Sequence, residues 1–157
     1  MRKLISIIIT LLLLSGCGNT YVSEESKTET NEIDTSIIET NTPSLKLAID
    51  DIDVETYWLD NESVTELKRI STNGLTIKMQ TFSTFEQFGD IGYTLPSDDK
   101  VLTMDYGDIA LYQSNILVIF YDINTSMYTK LGHINLRKTE MKELLSENDV
   151  TVTLKYE

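Results

Sequence analysis

From about residue 45 to the end of the chain, apolar and polar side chains alternate in short runs. A period of two is typical of strands that bury one face. This pattern predicts strands at 45–49, 52–58, 75–80, 108–113, 116–121, 127–134 and 150–156. The run 116–121 is apolar at every position, so we expect both of its faces to be covered.

Two short segments have helical spacing instead. Val64, Leu67 and Ile70 recur every third residue after the capping pair at 60–61, which predicts a helix ending near Ile70. A second helix is expected after Thr139, whose hydroxyl would cap it.

The predicted strands are joined by turns and one long loop. Asp50 and Asp51 form a turn between the first two strands, and Ser114 and Asn115 form a second turn of two residues. Segment 82–99 contains Gly89, Gly92 and Pro96, which predict a long loop with short extended pieces. Seven or eight short strands with two helices suggest a small barrel, since closure removes exposed strand edges.

The amino terminus has the features of a signal peptide. Arg2 and Lys3 precede an apolar run at 4–14. A helix of that length reaches only about 16 Å, too short for a hydrocarbon core of about 30 Å. We therefore expect residues 1–16 to be removed during export.

The signal peptide ends in Leu-Ser-Gly before Cys17, which resembles the bacterial lipobox. This resemblance implies that Cys17 is lipidated and anchors the protein to the extracytoplasmic face of the bacterial cell membrane. Residues 17–44 would then be the lipidated Cys and a disordered tether, because 18–43 is rich in Thr, Ser, Asn and Glu. Residues 45–157 would form one domain.

Composition excludes several classes of function. The chain has 157 residues, a net charge of -12, one Cys and one His. The acidic balance argues against a nucleic-acid partner, and a single Cys and His leave no disulfide and no usual zinc ligand set. The acidic clusters at 50–53 and 98–99 are interpreted as solvated turn residues, so no metal or cofactor is expected.

Aromatic residues collect in and around the long loop. Phe82, Phe85, Phe88, Tyr93 and Tyr106 could line a groove for a peptide or a small apolar ligand. The alternative is that these rings close one end of the barrel and pack on its core. Polar contacts could come from the segment around 124–128. The candidate ligand-binding residues are Phe88, Tyr93, Tyr106, Asn124, Ser126 and Tyr128.

The only histidine, His133, falls on the predicted strand 127–134. In strand register it shares a face with Met127, Thr129 and Leu131. A partly buried or rim histidine is expected there, because a catalytic or metal-binding role would need partners that the sequence does not supply.

Three blocks, 85–100, 106–122 and 124–134, resemble the bacterial cyclophilin-like family, and the closing segment 148–157 also fits. The resemblance implies a closed β-barrel of about eight strands with two short helices. Many members are small bacterial proteins of unassigned function, and some are lipid-anchored. It therefore indicates the fold more strongly than the activity.

Three functions remain open at this stage. The first is a membrane-anchored module that binds a peptide or small ligand without catalysis. The second is a divergent enzyme, a peptidyl-prolyl isomerase or an unassigned activity at the loop face. The third is a structural or accessory envelope protein. Oligomeric state stays open.

A classical isomerase is disfavoured because true cyclophilins carry an Arg in a Phe-His-Arg string, and block 85–90 reads Phe-Glu-Gln-Phe-Gly-Asp. Beyond the signal peptide the only arginines are Arg69 and Arg137, both at predicted helices. The cations expected near the loop face are Lys78, Lys100 and Lys130, and we expect them to be solvated or paired.

Overall fold

The computed structural model describes residues 42–157. The predicted signal peptide, the lipidation site Cys17 and residues 18–41 of the predicted tether lie outside the described residues. Neither helix within 42–157 has the length and apolar content needed to cross a bilayer.

The described chain contains eleven strands and two helices. In chain order they are β1 (Leu45–Ile49), β2 (Ile52–Val54), β3 (Thr56–Trp58), α1 (Glu62–Ile70), β4 (Leu75–Lys78), β5 (Gln80–Phe82), β6 (Glu86–Asp90), β7 (Lys100–Met104), β8 (Asp108–Tyr112), β9 (Ile116–Phe120), β10 (Asn124–Ile134), α2 (Lys138–Leu145) and β11 (Thr151–Tyr156). The expectation of a mostly-β domain with two short helices is confirmed.

Strand pairing produces two sheets. The first has four strands in the order β2-β1-β11-β4, and the second has seven, in the order β3-β10-β8-β9-β6-β5 with β7 added against β10. Within residues 42–157, the ladder pairings do not join these sheets into one closed barrel.

The chain itself connects the sheets at both edges. Only Glu55 separates β2 from β3, and only Met79 separates β4 from β5, yet each pair is divided between the two sheets. Backbone bonding continues through both bends, because the Glu55 carbonyl accepts from Asn135 N–H and Met79 N–H donates to the Val150 carbonyl, each at 2.8 Å. The strand predicted over 52–58 therefore bends from one sheet into the other.

Two apolar clusters lie on opposite faces of β9. Leu117 and Ile119 belong to the main core between the sheets and helices, whereas Val118 and Phe120 belong to a second cluster with Met104, Ala110 and Tyr128. These four residues of β9 are buried, so the expectation that run 116–121 is covered on both faces is confirmed.

Strand β6 replaces part of the predicted long loop and pairs with β9 along its whole length. Its alternation is hidden in the sequence because Gln87 and Gly89 occupy the positions that face the main core. Gly89 is required there, since an added Cβ would lie 2.6 Å from the Lys78 carbonyl oxygen. Gln87 is fully buried, and its amide donates to Thr81 Oγ1 and to the carbonyls of Leu145 and Asn148.

The start of α1 agrees with the sequence prediction, and the start of α2 does not. Helix α1 begins as expected, with Asn61 Oδ1 accepting from Val64 N–H at 2.9 Å. The cap of α2 was wrongly placed at Thr139. Arg137 is the N-cap, and its N–H donates to the Glu140 carboxylate at 2.8 Å.

The predicted turns are confirmed at 50–51 and wrong in length at 114–115. Asp50 and Asp51 both have positive φ, and Ile49 pairs with Ile52 across them. The second turn spans three residues, 113–115, because Tyr112 pairs with Ile116.

Candidate functional site

A cavity of about 530 Å³ lies on the face of the seven-stranded sheet that carries the second apolar cluster. We call it the aromatic cavity. Strands β5, β6, β8, β9 and β10 and the β5–β6 and β8–β9 turns supply its lining. The lining residues are Phe82, Phe85, Glu86, Phe88, Tyr112, Gln113, Ile116, Val118, Asn124, Thr125, Ser126 and Tyr128.

A bend in β10 forms one wall of this cavity. Residues 129–133 of β10 pair with β8, whereas 124–128 pair instead with β7. The first half of β10 therefore leaves the β8 ladder and brings Asn124, Ser126 and Tyr128 to the cavity. Asn124 and Tyr128 reach β6 side chains even though β8 and β9 separate β10 from β6 in the strand order.

Aromatic rings form the apolar walls. Phe82 meets Phe85 and Phe88 edge-on, with ring centroids 6.1 and 5.9 Å apart. Tyr128 stands edge-on to Phe120 at 5.2 Å and tilts against Tyr112 at 5.9 Å. Edge-on pairs such as these are favoured by the ring quadrupoles.

The polar end of the cavity is built around the carboxylate of Glu86, a residue that is only 7% exposed. Tyr128 hydroxyl and Asn124 Nδ2 each donate to Glu86 Oε2 at 3.3 Å. Asn124 Nδ2 also donates to the Tyr128 hydroxyl at 2.9 Å. Within residues 42–157 no Lys, Arg or His forms an ion pair with Glu86.

Burial sets the titration of these groups. It raises the pKa of Glu86 because the charged form loses hydration, and the hydrogen bonds from Asn124 and Tyr128 offset this only in part. Burial and the neighbouring Glu86 charge raise the pKa of Tyr128 to about 12. The phenol therefore stays a hydrogen-bond donor at neutral pH.

The structure brings together part of the site expected from the sequence. Phe88, Asn124, Ser126 and Tyr128 all line the aromatic cavity. Tyr93 does not, and is about half exposed on the loop after β6.

Tyr106 is also absent from the lining and packs against the main core, with Lys138 Nζ 6.0 Å from its ring centroid. It precedes β8, whereas the cavity lies at the far end of that strand, at Tyr112.

The sequence reasoning missed several lining residues, among them Glu86 and Tyr112. Glu86 stands two positions before Phe88 and shares its face of β6. An acidic residue alternating with an aromatic one is a usable signal, but only once segment 86–90 is identified as a strand.

A second polar cluster surrounds Asp108. Its Oδ1 lies 2.7 Å from Lys130 Nζ and 2.9 Å from His133 Nδ1, and Asp105 N–H donates to Oδ2 at 3.1 Å. Burial alone would raise the pKa of Asp108, but these three donors together hold it below its usual value.

A register shift in β10 creates this cluster. Lys130 pairs with Ala110, Gly132 pairs with Ile109, and Leu131 is the extra residue between them. The expected register, with His133 on the face of Leu131, is therefore wrong, because the bulge turns His133 to the side of Lys130. The expectation of a partly exposed histidine is met, with 41% of the side chain exposed.

The basic side chains considered for catalysis lie elsewhere. Lys100 pairs with Asp98 at 2.6 Å, and both Lys100 and Lys130 line a separate polar cavity of about 440 Å³ beside the start of α1. Lys78 is exposed on β4.

The two arginines of the described chain are mostly exposed and pair within their own helical segments. Arg69 contacts Glu66 and Arg137 contacts Glu140, each at 2.6 Å. Within 42–157 no three His, Cys, Asp or Glu side chains gather in a way that could hold a metal ion.

A comparison with protein families relates most of the described chain to a known family. The model of the family described as the cyclophilin-like family matches residues 47–155. Searches of curated proteins and of solved structures returned no match.

Proposed function

Since the chain belongs to the cyclophilin-like family, we propose that its domain is a non-catalytic binding module for a peptide side chain or small ligand. We further propose that Cys17 is lipidated and that the domain is displayed on the extracytoplasmic face of a bacterial membrane. The aromatic cavity would be the binding site.

The observation that carries this proposal is the convergence of rings and hydrogen-bonding groups in one cavity. Phe88, Asn124, Ser126 and Tyr128 come from strands that are not neighbours in the sheet. A volume of about 530 Å³ is in the range of small-molecule sites, which pair apolar walls with a few polar groups.

The composition of the lining favours binding over prolyl isomerisation. Among the residues that the structure describes, no Lys, Arg or His lines the aromatic cavity. Twisting a prolyl amide crosses a barrier of about 18–20 kcal/mol, and a fixed cation beside the proline nitrogen would be needed to lower it electrostatically. Glu86 carries the opposite charge when it is ionised.

The proposal includes a closed eight-stranded barrel as the scaffold. Counting 52–58 and 75–82 as one bent strand each gives the ring 52–58, β1, β11, 75–82, β6, β9, β8 and β10. Such bends let one strand serve two sheets without an exposed edge. A rigid ring would hold the cavity open before ligand arrives.

Membrane attachment would come from acyl chains and not from surface charge. Removal of residues 1–16 would take away Arg2 and Lys3 and change the net charge from -12 to -14, which anionic headgroups repel. A flexible tether over 18–44 would have a root-mean-square reach of about 30 Å, enough to hold the domain clear of the bilayer.

A thermal-shift screen of neutral aromatic fragments tests the binding function. We expect hits to raise the melting temperature of the full chain and to have no effect on Ser126→Trp, which fills the cavity. Tyr93→Trp is the matched control outside the cavity and should respond like the unmodified chain. If a fragment raises the melting temperature of Ser126→Trp as much as that of the unmodified chain, the fragment binds outside the aromatic cavity.

A further inference from the structure

We propose that the aromatic cavity binds an organic ammonium group, with the Glu86 carboxylate as its counter-ion and the phenylalanine rings as its walls. This inference rests on the ligand-binding function proposed above and names the chemical class of the ligand.

Glu86 is a buried carboxylate without a cation. It is only 7% exposed, and within residues 42–157 none of the ion pairs involves it. Its two donors, Asn124 and Tyr128, are neutral and both lie 3.3 Å away from the same oxygen, Oε2. A buried charge is normally paired, so an incoming cation would supply what the protein lacks here.

The rings beside Glu86 suit the same ligand. The ring plane of Phe82 lies at 76° to that of Phe85 and at 90° to that of Phe88. The three rings therefore present differently oriented faces and edges to the cavity. The negative face of an aromatic ring attracts an ammonium group within about 6 Å, and the attraction grows when the group is desolvated.

The protein offers no competing positive charge at this place. Within the described part of the chain, residues 42–157, the lining of the aromatic cavity contains no Lys, Arg or His, and the chain as a whole is strongly acidic. Lys138 and Lys142 of α2 both form ion pairs with Asp122, at 2.6 and 2.7 Å. The field at the cavity mouth therefore favours cations over anions.

Proton exchange should accompany binding. Burial raises the pKa of Glu86 in the free protein, and a bound ammonium favours the ionised form, so cation binding lowers that pKa and releases to solvent any proton that Glu86 still holds. The other titratable groups around Glu86 are Tyr112, Tyr121 and Tyr128, and Asp122 with its two lysines. Burial raises the pKa of Tyr121 and of Tyr128, so both keep their protons near neutral pH, and Asp122 is already ionised. Affinity should therefore rise with pH until Glu86 is fully ionised.

Calorimetric titration of the full chain with two isosteric probes tests the inference. Benzylamine is a cation at neutral pH, and benzyl alcohol is its neutral counterpart. We expect benzylamine to bind at least about tenfold more tightly, the scale of one charged contact in a desolvated site. Glu86→Gln should abolish that preference, whereas Glu143→Gln, on exposed α2 surface, should preserve it.

A second arm identifies the source of the ammonium group. An acetylated and amidated tripeptide with a central lysine is compared with the same peptide carrying glutamine. Tighter binding of the lysine peptide than of benzylamine indicates a protein partner, and the reverse order indicates a free amine.

Equal binding of benzylamine and benzyl alcohol would overturn the inference and leave the ligand-binding function standing. A preference for benzylamine that survives Glu86→Gln would overturn it too. Binding of neither probe also overturns it, and the neutral-fragment screen then decides the binding function on its own.

Discussion

The Tyr128 hydroxyl donates a 3.3 Å hydrogen bond to the buried carboxylate of Glu86, joining the arched first half of β10 to β6. Asn124 closes the triangle by donating to both groups. A tyrosine or a glutamate alone would not indicate a ligand site. Their meeting on an aromatic-lined face gives the domain a cavity with one polar end, and the predictions below follow from this arrangement and its surroundings.

Stability should depend on the protonation of Glu86. Its pKa is raised above the ordinary value of 4.5 in the folded chain, so as pH rises the unfolded chain loses its proton first and folding becomes less favourable. Between about pH 5 and pH 8 the unmodified chain should lose more unfolding free energy than Glu86→Gln. Urea unfolding at both pH values measures this.

Glu143→Gln is the control for that experiment, because Glu143 is exposed on α2. It should follow the unmodified chain at both pH values. If Glu86→Gln also follows it, Glu86 does not titrate as a buried acid.

Phe120 should be the most costly single truncation in the second apolar cluster. It is fully buried and stands edge-on to Tyr128, so Phe120→Ala leaves a cavity and should reduce the unfolding free energy by about 3–5 kcal/mol. Ile123→Ala, at a side chain that is 59% exposed, should change it by less than about 0.5 kcal/mol. A loss below about 1 kcal/mol for Phe120→Ala would contradict its central position.

The Asp108 cluster should stabilise the fold above acid pH. The pKa of Asp108 is lowered on folding, so its contribution is present above the unfolded value and is lost as pH falls below about 4. Asp108→Asn should cost about 1.5–3 kcal/mol at neutral pH, since charged hydrogen bonds to Lys130 and His133 are lost.

Asp98→Asn is the comparison for Asp108→Asn. It removes an ion pair with Lys100 that is mostly exposed, and such pairs contribute about 1 kcal/mol or less. Equal losses for the two variants would show that burial of the Asp108 cluster adds nothing.

Lipidation of Cys17 is tested in cells with labelled palmitate. Cys17→Ala should abolish incorporation of the label and release the protein from membranes or leave it unprocessed, because the thiol is the acyl acceptor. A variant that still takes up label and stays with membranes would contradict the lipobox interpretation.

The sequence predicted those elements whose apolar side chains repeat with a clear period. Helix α1 is of this kind, since Val64 and Leu67 are buried as their spacing requires. Run 116–121 was predictable for another reason, because it is apolar at every position and both of its faces are covered. Strand β6 escaped because Gln87 and Gly89 occupy its core-facing positions. At these positions, the hydrogen bonds of the buried Gln87 amide and the close approach of Gly89 to the Lys78 carbonyl replace apolar packing.

The candidate site was predictable only in part for a similar reason. Asn124, Ser126 and Tyr128 share a face because they alternate along one strand, a relationship that sequence spacing contains. The bulge at Leu131 and the bend that carries β10 away from β8 depend on pairing with distant strands, so they leave no local signal. Glu86 entered the site only through that long-range pairing.

The most direct test of the binding site is an NMR titration of the isotope-labelled chain with the best ligand from the fragment screen. We expect the largest shifts on the Asn124 side-chain amide and on the backbone amides of Phe85, Phe88 and Ser126, while Tyr93 and Tyr106 stay unchanged. Shifts centred on Tyr93, on Tyr106 or on the Lys100–Lys130 cavity, with the Asn124 amide unmoved, would contradict it.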